Sequence, residues 1–452
     1  MCDIVVALPD VTATGRVIFG KNSDRPAGEC QVLVDSADER RRGDRVSCAF
    51  VSVPDVTDPR HTVGCRPYWC WGYETGMNDA GVVGGNTAVY TRSFWEEENR
   101  KTSGLTGMEL LRLGLERGAT AAEVVHVIAG LLAEFGQWGP AVVGKTSPDA
   151  CYENAFLIAD PGEAWILETS GRRWVARRHR SGVAALSNQL TIRKDWTDGS
   201  EDLLDHAVRR GWWKEPDGAL DFALAYSDHE HYARQVSHIR WSRSQRLLRE
   251  HAGSIDVGTV MRILRDHYED TFLEGPQFDV FRPDFLTLCM HDSPAAFTWG
   301  NTATSVVVVL DPDAPASSPL WCGYQPPCSS VYLASSLAAG FPPEVSRPGG
   351  AGLRSESPAT VEPDRFETGS LWWRTYRLLS AVRETPLRRR RVVRSAFDPI
   401  ERAALARVRG NAGEPPERRD RLARESVELQ LREIDRSLSS LEREWGLVTE
   451  SV

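Results

Sequence analysis

No run of roughly 18 uncharged apolar residues occurs in the 452-residue chain, which excludes a helix built to span a bilayer. CxxC pairs and His clusters of zinc-finger spacing are also missing. The nine cysteines (Cys2, Cys30, Cys48, Cys65, Cys70, Cys151, Cys289, Cys322 and Cys328) are an odd number scattered through a long sequence. A disulfide framework is therefore not expected, and reduced thiols in a cytoplasmic compartment are. There is no basic excess: 54 Lys and Arg face 63 Asp and Glu, for a net charge of −9, which argues against nucleic acid or a membrane as partner. Residues Met1 to Asp10 lack a positive flank, and their apolar run stops at Pro9, so they do not read as a secretory signal. No repeat period is evident.

With 41% hydrophobic and 26% charged residues, the composition is that of a globular chain with a sizeable core. Its length exceeds the ~250–300 residues that one core usually serves, so one large domain with an extension, or two units, is expected. Apolar runs at Ile4–Leu8 and Val17–Phe19, separated by turn residues, read as a hairpin. Further strand-like runs lie at Ala155–Asp160, Ala164–Glu168, Trp174–Arg177 and Val183–Leu186, with Phe285–Met290 and Ser305–Leu310 as candidates to complete the sheets. Helical spacing marks Thr106–Glu116, Ala121–Phe135, Ser242–His251 and Val257–His267. Strands grouped with strands and helices with helices give an α+β class. Phe341–Asp364, rich in Pro, Gly, Ser and Glu, reads as a long surface loop. Beyond it Val427, Leu431, Ile434, Leu438, Leu441 and Trp445 form an apolar stripe on a charged helix that either packs on its own domain or self-associates. The expected organisation is a domain over 1–340, a loop over 341–367 and a helical extension over 368–452.

Cys2 stands out. With Met1 removed, one residue would carry both a thiol and a free α-amine, groups with ordinary pKa values of about 8.5 and about 7.7–8.0. The amine can then take the thiol proton, so base and nucleophile come together. The hairpin brings the segment after Phe19 beside residue 2. Lys21 there would favour thiolate, and Asp24 would hold the amine, whereas a turn with an N-cap at Asn22–Asp24 is the competing reading. Asn86, which closes the Gly76–Asn86 segment behind a Gly pair, and Asn188, just past Val183–Leu186, are candidate oxyanion donors.

Met1-Cys2-Asp3, Phe19–Arg25, Gly76–Asn86, Phe156–Asp160, Glu163–Thr169 and Ser187–Leu190 together resemble the secernin and bacterial dipeptidase family of cysteine N-terminal-nucleophile hydrolases. Cys289–His291, Trp321, Pro326–Ser330 and Leu371–Arg374 extend the resemblance. It implies a four-layer αββα fold with a C-terminal helical extension and hydrolysis of a peptide or other amide bond, without metal or cofactor. It also implies Cys2 as nucleophile, Asp24 on the amine, and Asn86 and Asn188 near the oxyanion and amine. Related acylases carry Arg where Lys21 stands, and Lys lacks the bidentate fork. They use a further Arg on a later segment, a place that either Arg240 or Arg243 could fill.

The expected activity is that of a dipeptidase or small-peptide amidase working through a Cys2 thioester. The alternatives are an N-acyl amidohydrolase of the bile-salt or penicillin acylase kind, or a non-catalytic scaffold or secretion-related protein. The expected partner is a small peptide or N-acyl amide substrate, and a homo-oligomer stays open. Asp228-His229-Glu230-His231 and His291 are read as structural rather than as metal ligands, Arg388–Arg391 as a solvated face, and Arg42-Gly43-Asp44 as a chance tripeptide.

Overall fold

Alternation along the first strand decides the layering. Ile4 and Val6 of Cys2–Ala7 point to one side, Val5 and Ala7 to the other, and each side meets a different apolar cluster. The computed structural model describes residues 1–39, 43–100, 103–148, 150–232, 235–274, 286–292, 300–384 and 386–447. Phe285 and Arg42, named above, lie outside them.

Six antiparallel strands form one sheet in the order Val183–Leu186, Cys2–Ala7, Ile18–Arg25, Asn301–Val309, Leu320–Tyr324, Leu333–Ser335. Eight form the other: Asp198–Gly199, Arg173–His179, Ala164–Ser170, Glu153–Ala159, Val83–Val89, Thr75–Asn78, Thr62–Pro67, Gln31–Asp35. The cluster between them joins Ile4, Val6 and Phe19 to Met77, Val83, Leu157 and Ile166. On the far side of the larger sheet, Phe156, Ile158 and Leu167 pack on helices Gly107–Arg117 and Ala121–Phe135 through Leu111, Val125 and Ile128. On the far side of the smaller sheet, Val5, Ile18 and Val307 meet Leu248 of helix Gln235–Glu250 and Val260 and Leu264 of helix Val257–Leu264. The layers run helix, sheet, sheet, helix, which is the αββα arrangement.

Local chemistry sets the helix starts. Thr106 and Glu109 form a reciprocal capping box, so the helix expected from Thr106 begins at Gly107. Gln235–Glu250 starts seven residues earlier than its apolar period suggests, because Ser237, Arg240 and Ser244 on its buried face are polar and break the pattern.

The chain departs from the sequence reading in two further places. Asn22, Ser23 and Asp24 form neither a turn nor an N-cap: they lie inside Ile18–Arg25, paired on one side with Cys2–Ala7 and on the other with Asn301–Val309. Residues 286–290 join no sheet; instead the Leu288 carbonyl accepts from Asn22 Nδ2 at 2.7 Å. The 341–364 segment lies largely at the surface, as expected, and is anchored there. Arg354 N and Glu356 N donate to the Tyr68 and Trp69 carbonyls, and the Asp364 carboxylate accepts from Gly349 N, Ala351 N and Trp373 Nε1.

Helices Leu371–Glu384, Pro386–Gly410 and Pro416–Glu444 close one end of the sandwich. The stripe residues Val427, Ile434, Leu438 and Leu441 are buried in the same cluster as Leu333, Trp372 and Phe397, so this chain covers its own stripe. In the basic run, Arg389 donates to Glu384 Oε2 and the Ala381 carbonyl, each at 2.6 Å. No helix among the described residues is long and apolar enough to cross a membrane.

Candidate active site

Strand register assembles the site. Cys2 pairs with Ser23 and Ile4 with Lys21, so the Cys2 and Lys21 side chains share the face turned toward the larger sheet. Ile4 also pairs with Leu186, and two residues further along each strand Asn188 arrives beside Cys2. Its Oδ1 accepts from Cys2 N at 3.1 Å and from Arg240 Nη2 at 2.7 Å. Both N–H donors of Asn188 are committed, to Thr87 Oγ1 at 2.7 Å and the Ala88 carbonyl at 2.8 Å. Asn188 is therefore oriented to accept from the nitrogen of Cys2, and the oxyanion role expected of it does not match this geometry.

Asp24 lies on the opposite face of its strand. Its Oδ1 accepts from Thr302 Oγ1 at 2.8 Å, and its buried Oδ2 has no hydrogen-bond partner among the described residues. The Met1 ammonium donates to the Asp24 carbonyl at 3.1 Å. Burial pushes the Asp24 carboxyl up to about 7, against the pull of that ammonium.

Lys21 crosses the gap between the sheets. Gly85 makes room for it, since a Cβ there would sit 2.6 Å from Lys21 Cδ. The Lys21 ammonium donates to the Glu74 carbonyl, lies 3.4 Å from Glu74 Oε2, and reaches Asn86 Oδ1 at 3.5 Å. Asn86 Nδ2 donates to Asn154 Oδ1 at 3.1 Å, and Asn154 is held in turn by Gln137 at 3.0 Å. This leaves the second amide hydrogen of Asn86 uncommitted among the described residues.

Glu74 is the residue that sequence reasoning missed. Fully enclosed between the sheets, it places Oε2 3.7 Å from Cys2 Sγ and Oε1 3.3 Å from Arg25 Nη1. Burial opposes its charge, but Lys21 and Arg25 outweigh that and hold the carboxyl below its usual range. The thiol sits at the other extreme: burial raises Cys2 to about 11, Lys21 pulls it down and Glu74 pushes it back up. The available signal was an acid directly following the aromatic stretch Tyr68–Tyr73. Its meaning depends on a contact between sheets that no local pattern encodes.

Residues 56–277 match the family described as Peptidase family C69. That match makes this segment similar to peptidase family C69. The matched segment carries Glu74, Asn86, Asn188 and Arg240, while Cys2, Lys21 and Asp24 precede it. Among solved structures, the chain is similar to a conjugated bile acid hydrolase from Clostridium perfringens at 14% identity, covering 72% of this chain and 89% of that one, with a TM-score of 0.42. It is also similar to a Caenorhabditis elegans N-acylethanolamine-hydrolyzing acid amidase ortholog at 15% identity, covering 68% and 92%, with a TM-score of 0.33.

Between the two arginines left open by the sequence, Arg240 is the one at the site. Fully buried, it pairs with Asp3 and reaches both the Cys2 carbonyl and Asn188. Arg243 instead binds Asp266 and the Glu269 carbonyl. A cavity of about 280 Å³ opens beside Asn188, walled by Tyr90, Tyr232 and Trp241. Asp228 closes a turn over Glu230 and His231 and accepts from Trp95 Nε1 at 2.6 Å, which makes that acidic-His stretch structural. Among the described residues, the groups able to hold a metal gather elsewhere, at His267, Cys289, His291 and Cys328.

Proposed function

We propose that this chain, with Met1 removed, hydrolyses amide C–N bonds of small peptides through a thioester on Cys2. The observation that carries this reading is the geometry at Cys2 N. Asn188 Oδ1 accepts from it at 3.1 Å, and the carboxylate that would face a freed amine there, Asp24, keeps an unpartnered buried oxygen. Such acceptors suit an α-amine that must be held while it exchanges protons with the adjacent thiol.

In this mechanism the Cys2 amine takes the thiol proton, and the thiolate attacks the substrate carbonyl. Lys21, on the neighbouring strand and the same face as Cys2, supplies positive charge near the sulfur, and Glu74 balances that charge in the resting state. The free hydrogen of Asn86 Nδ2 is the side-chain donor for the oxyanion, a role worth about 2.7–4 kcal/mol in comparable sites. The ammonium returns its proton to the leaving amine, and water resolves the thioester. Arg240 and Asp3 position Asn188 and the first strand without touching the reacting atoms.

The same thioester chemistry serves an N-acyl amide, so the assay carries both classes. Intact-mass measurement and turnover of a dipeptide and N-acyl-amino-acid panel, run on the wild type and on Cys2→Ser and Cys2→Ala variants, test the proposal. Met1 should be absent from active protein and Cys2→Ala should be inert. An active chain that retains Met1, or turnover by Cys2→Ala equal to wild type, overturns the reading. Nine free cysteines, eight of them buried, support placing the protein in a reducing compartment such as the cytoplasm.

A further inference from the structure

Three segments remote in sequence converge behind the smaller sheet. His267 follows helix Val257–Leu264, Cys289 and His291 precede strand Asn301–Val309, and Cys328 sits in the turn Pro327–Ser329. All four side chains are buried, and their ligand atoms lie within 4.8 Å of one another. His267 Nε2 is 3.3 Å from His291 Nε2, which is 3.2 Å from Cys328 Sγ and 3.7 Å from Cys289 Sγ.

A tetrahedral Zn²⁺ with nitrogens at ~2.0–2.1 Å and thiolates at ~2.3 Å sets N···N edges of about 3.3 Å and N···S edges of about 3.5 Å. The observed edges fall close to these lengths. The outer shell fits as well: His267 Nδ1 faces Glu269 Oε1 at 3.1 Å, the carboxylate–imidazole pairing that turns the other ring nitrogen toward a metal. We propose that His267, Cys289, His291 and Cys328 bind one Zn²⁺, with release of the two thiol protons to solvent.

Four protein ligands close the coordination sphere, so the site is structural and separate from Cys2 chemistry. Its consequence is positional. Met290, between two ligands, donates from its N–H to Thr302 Oγ1 at 3.0 Å, and Thr302 Oγ1 donates to Asp24 Oδ1 at 2.8 Å. The neighbouring Leu288 carbonyl accepts from Asn22. Metal binding would thus fix the segment on which Asn22 and Asp24 lean. The sequence expectation of no metal rested on the family resemblance and on the missing CxxC pairs and zinc-finger His clusters, and this donor set uses neither of those spacings.

The proposal does not depend on the hydrolase reading, and its readout is metal content. Full-length protein purified without chelator from zinc-supplemented culture should carry about one Zn²⁺ per chain by elemental mass spectrometry. The Cys289→Ser/Cys328→Ser double variant should lose it, while Cys48→Ser, at a half-buried thiol outside the cluster, should keep it. If the double variant fails to fold, wild-type protein reconstituted with Co²⁺ should still show the visible bands of a tetrahedral two-thiolate, two-imidazole site. Three results overturn the proposal: zinc below about one tenth of an equivalent after reconstitution, a Cys289–Cys328 disulfide by mass, or undiminished zinc in a folded double variant.

Discussion

Replacing Glu74 with Gln keeps the shape of the side chain and removes one buried negative charge from between two cations. Lys21 and Arg25 are both enclosed, at 0% and 2% exposure, and Glu74 lies 3.4 Å from the first and 3.3 Å from the second. At an effective dielectric constant of about 20, attraction across 3.4 Å is about 5 kcal/mol. Breaking a buried pair by removing one partner is measured at about 3–5 kcal/mol, in the same range. Arg25 retains Glu29 as a partner, whereas Lys21 is left with the Glu74 carbonyl and Asn86 Oδ1, both neutral. Glu74→Gln is therefore expected to lower stability by about 3–5 kcal/mol, most of it through Lys21. Adding Lys21→Met should recover part of the loss, so urea unfolding of wild type, both single variants and the double variant should give a coupling energy above about 1 kcal/mol. Additive losses, or a loss below about 1 kcal/mol for Glu74→Gln alone, would refute the picture of a charge-balanced gap between the sheets.

The Asp24 carboxyl, raised to about 7 by burial, binds a proton in the folded chain that it loses near pH 4 when unfolded. Its contribution to stability is present below that range and is lost as pH rises to about 7, so Asp24→Asn should flatten the urea midpoint between about pH 4 and pH 7; unchanged slopes would contradict this. Asn188→Ala removes the acceptor of Cys2 N and Arg240 and should reduce turnover at least about tenfold on any substrate wild type cleaves, at equal folded fraction by circular dichroism. A chain ending before Pro416 uncovers Val427's partners and strand Leu333–Ser335, where Gln430 Oε1 accepts from Ala334 N, and light scattering should show aggregation. A monodisperse, fully folded truncation would show that the last helix is dispensable.

Much of the fold was legible because its buried surfaces are regular. Ala121–Phe135 and Val183–Leu186 have the bounds that their apolar spacing suggests, and Ile4–Leu8 and Val17–Phe19 mark a true hairpin. Residues 21–25 were harder to place, since Lys-Asn-Ser-Asp-Arg is the composition of a turn and only pairing on both edges makes it a central strand. The nearness of Lys21 to Cys2 was legible from the hairpin, whereas the nearness of Asn188 to Cys2 was legible only as a strand-end placement, with a different hydrogen-bond role from the one expected. Glu74 was not singled out, because it meets Cys2 across two sheets, and Arg240 could not be chosen over Arg243, because it meets Cys2 through a helix–sheet contact. Of the four candidate ligands only Cys289 and His291 are local neighbours, and His267 and Cys328 reach them from segments that no local spacing links.

The strand Ile18–Arg25 divides its side chains by parity, with Lys21 and Arg25 turned toward Glu74 and Asn22 and Asp24 toward the outer helices and Thr302. Tolerance to length change should therefore switch abruptly along the hairpin. Extra residues in the exposed turn at residues 13–15 would lengthen a loop and nothing more. A single residue gained or lost between Gly20 and Asp24 would exchange the two faces, sending carboxylate and carboxamide into the cation-lined gap and the ammonium into an apolar helix layer. Natural length variation in this protein should accordingly be confined to the turn, with the distance from Gly20 to Arg25 held constant.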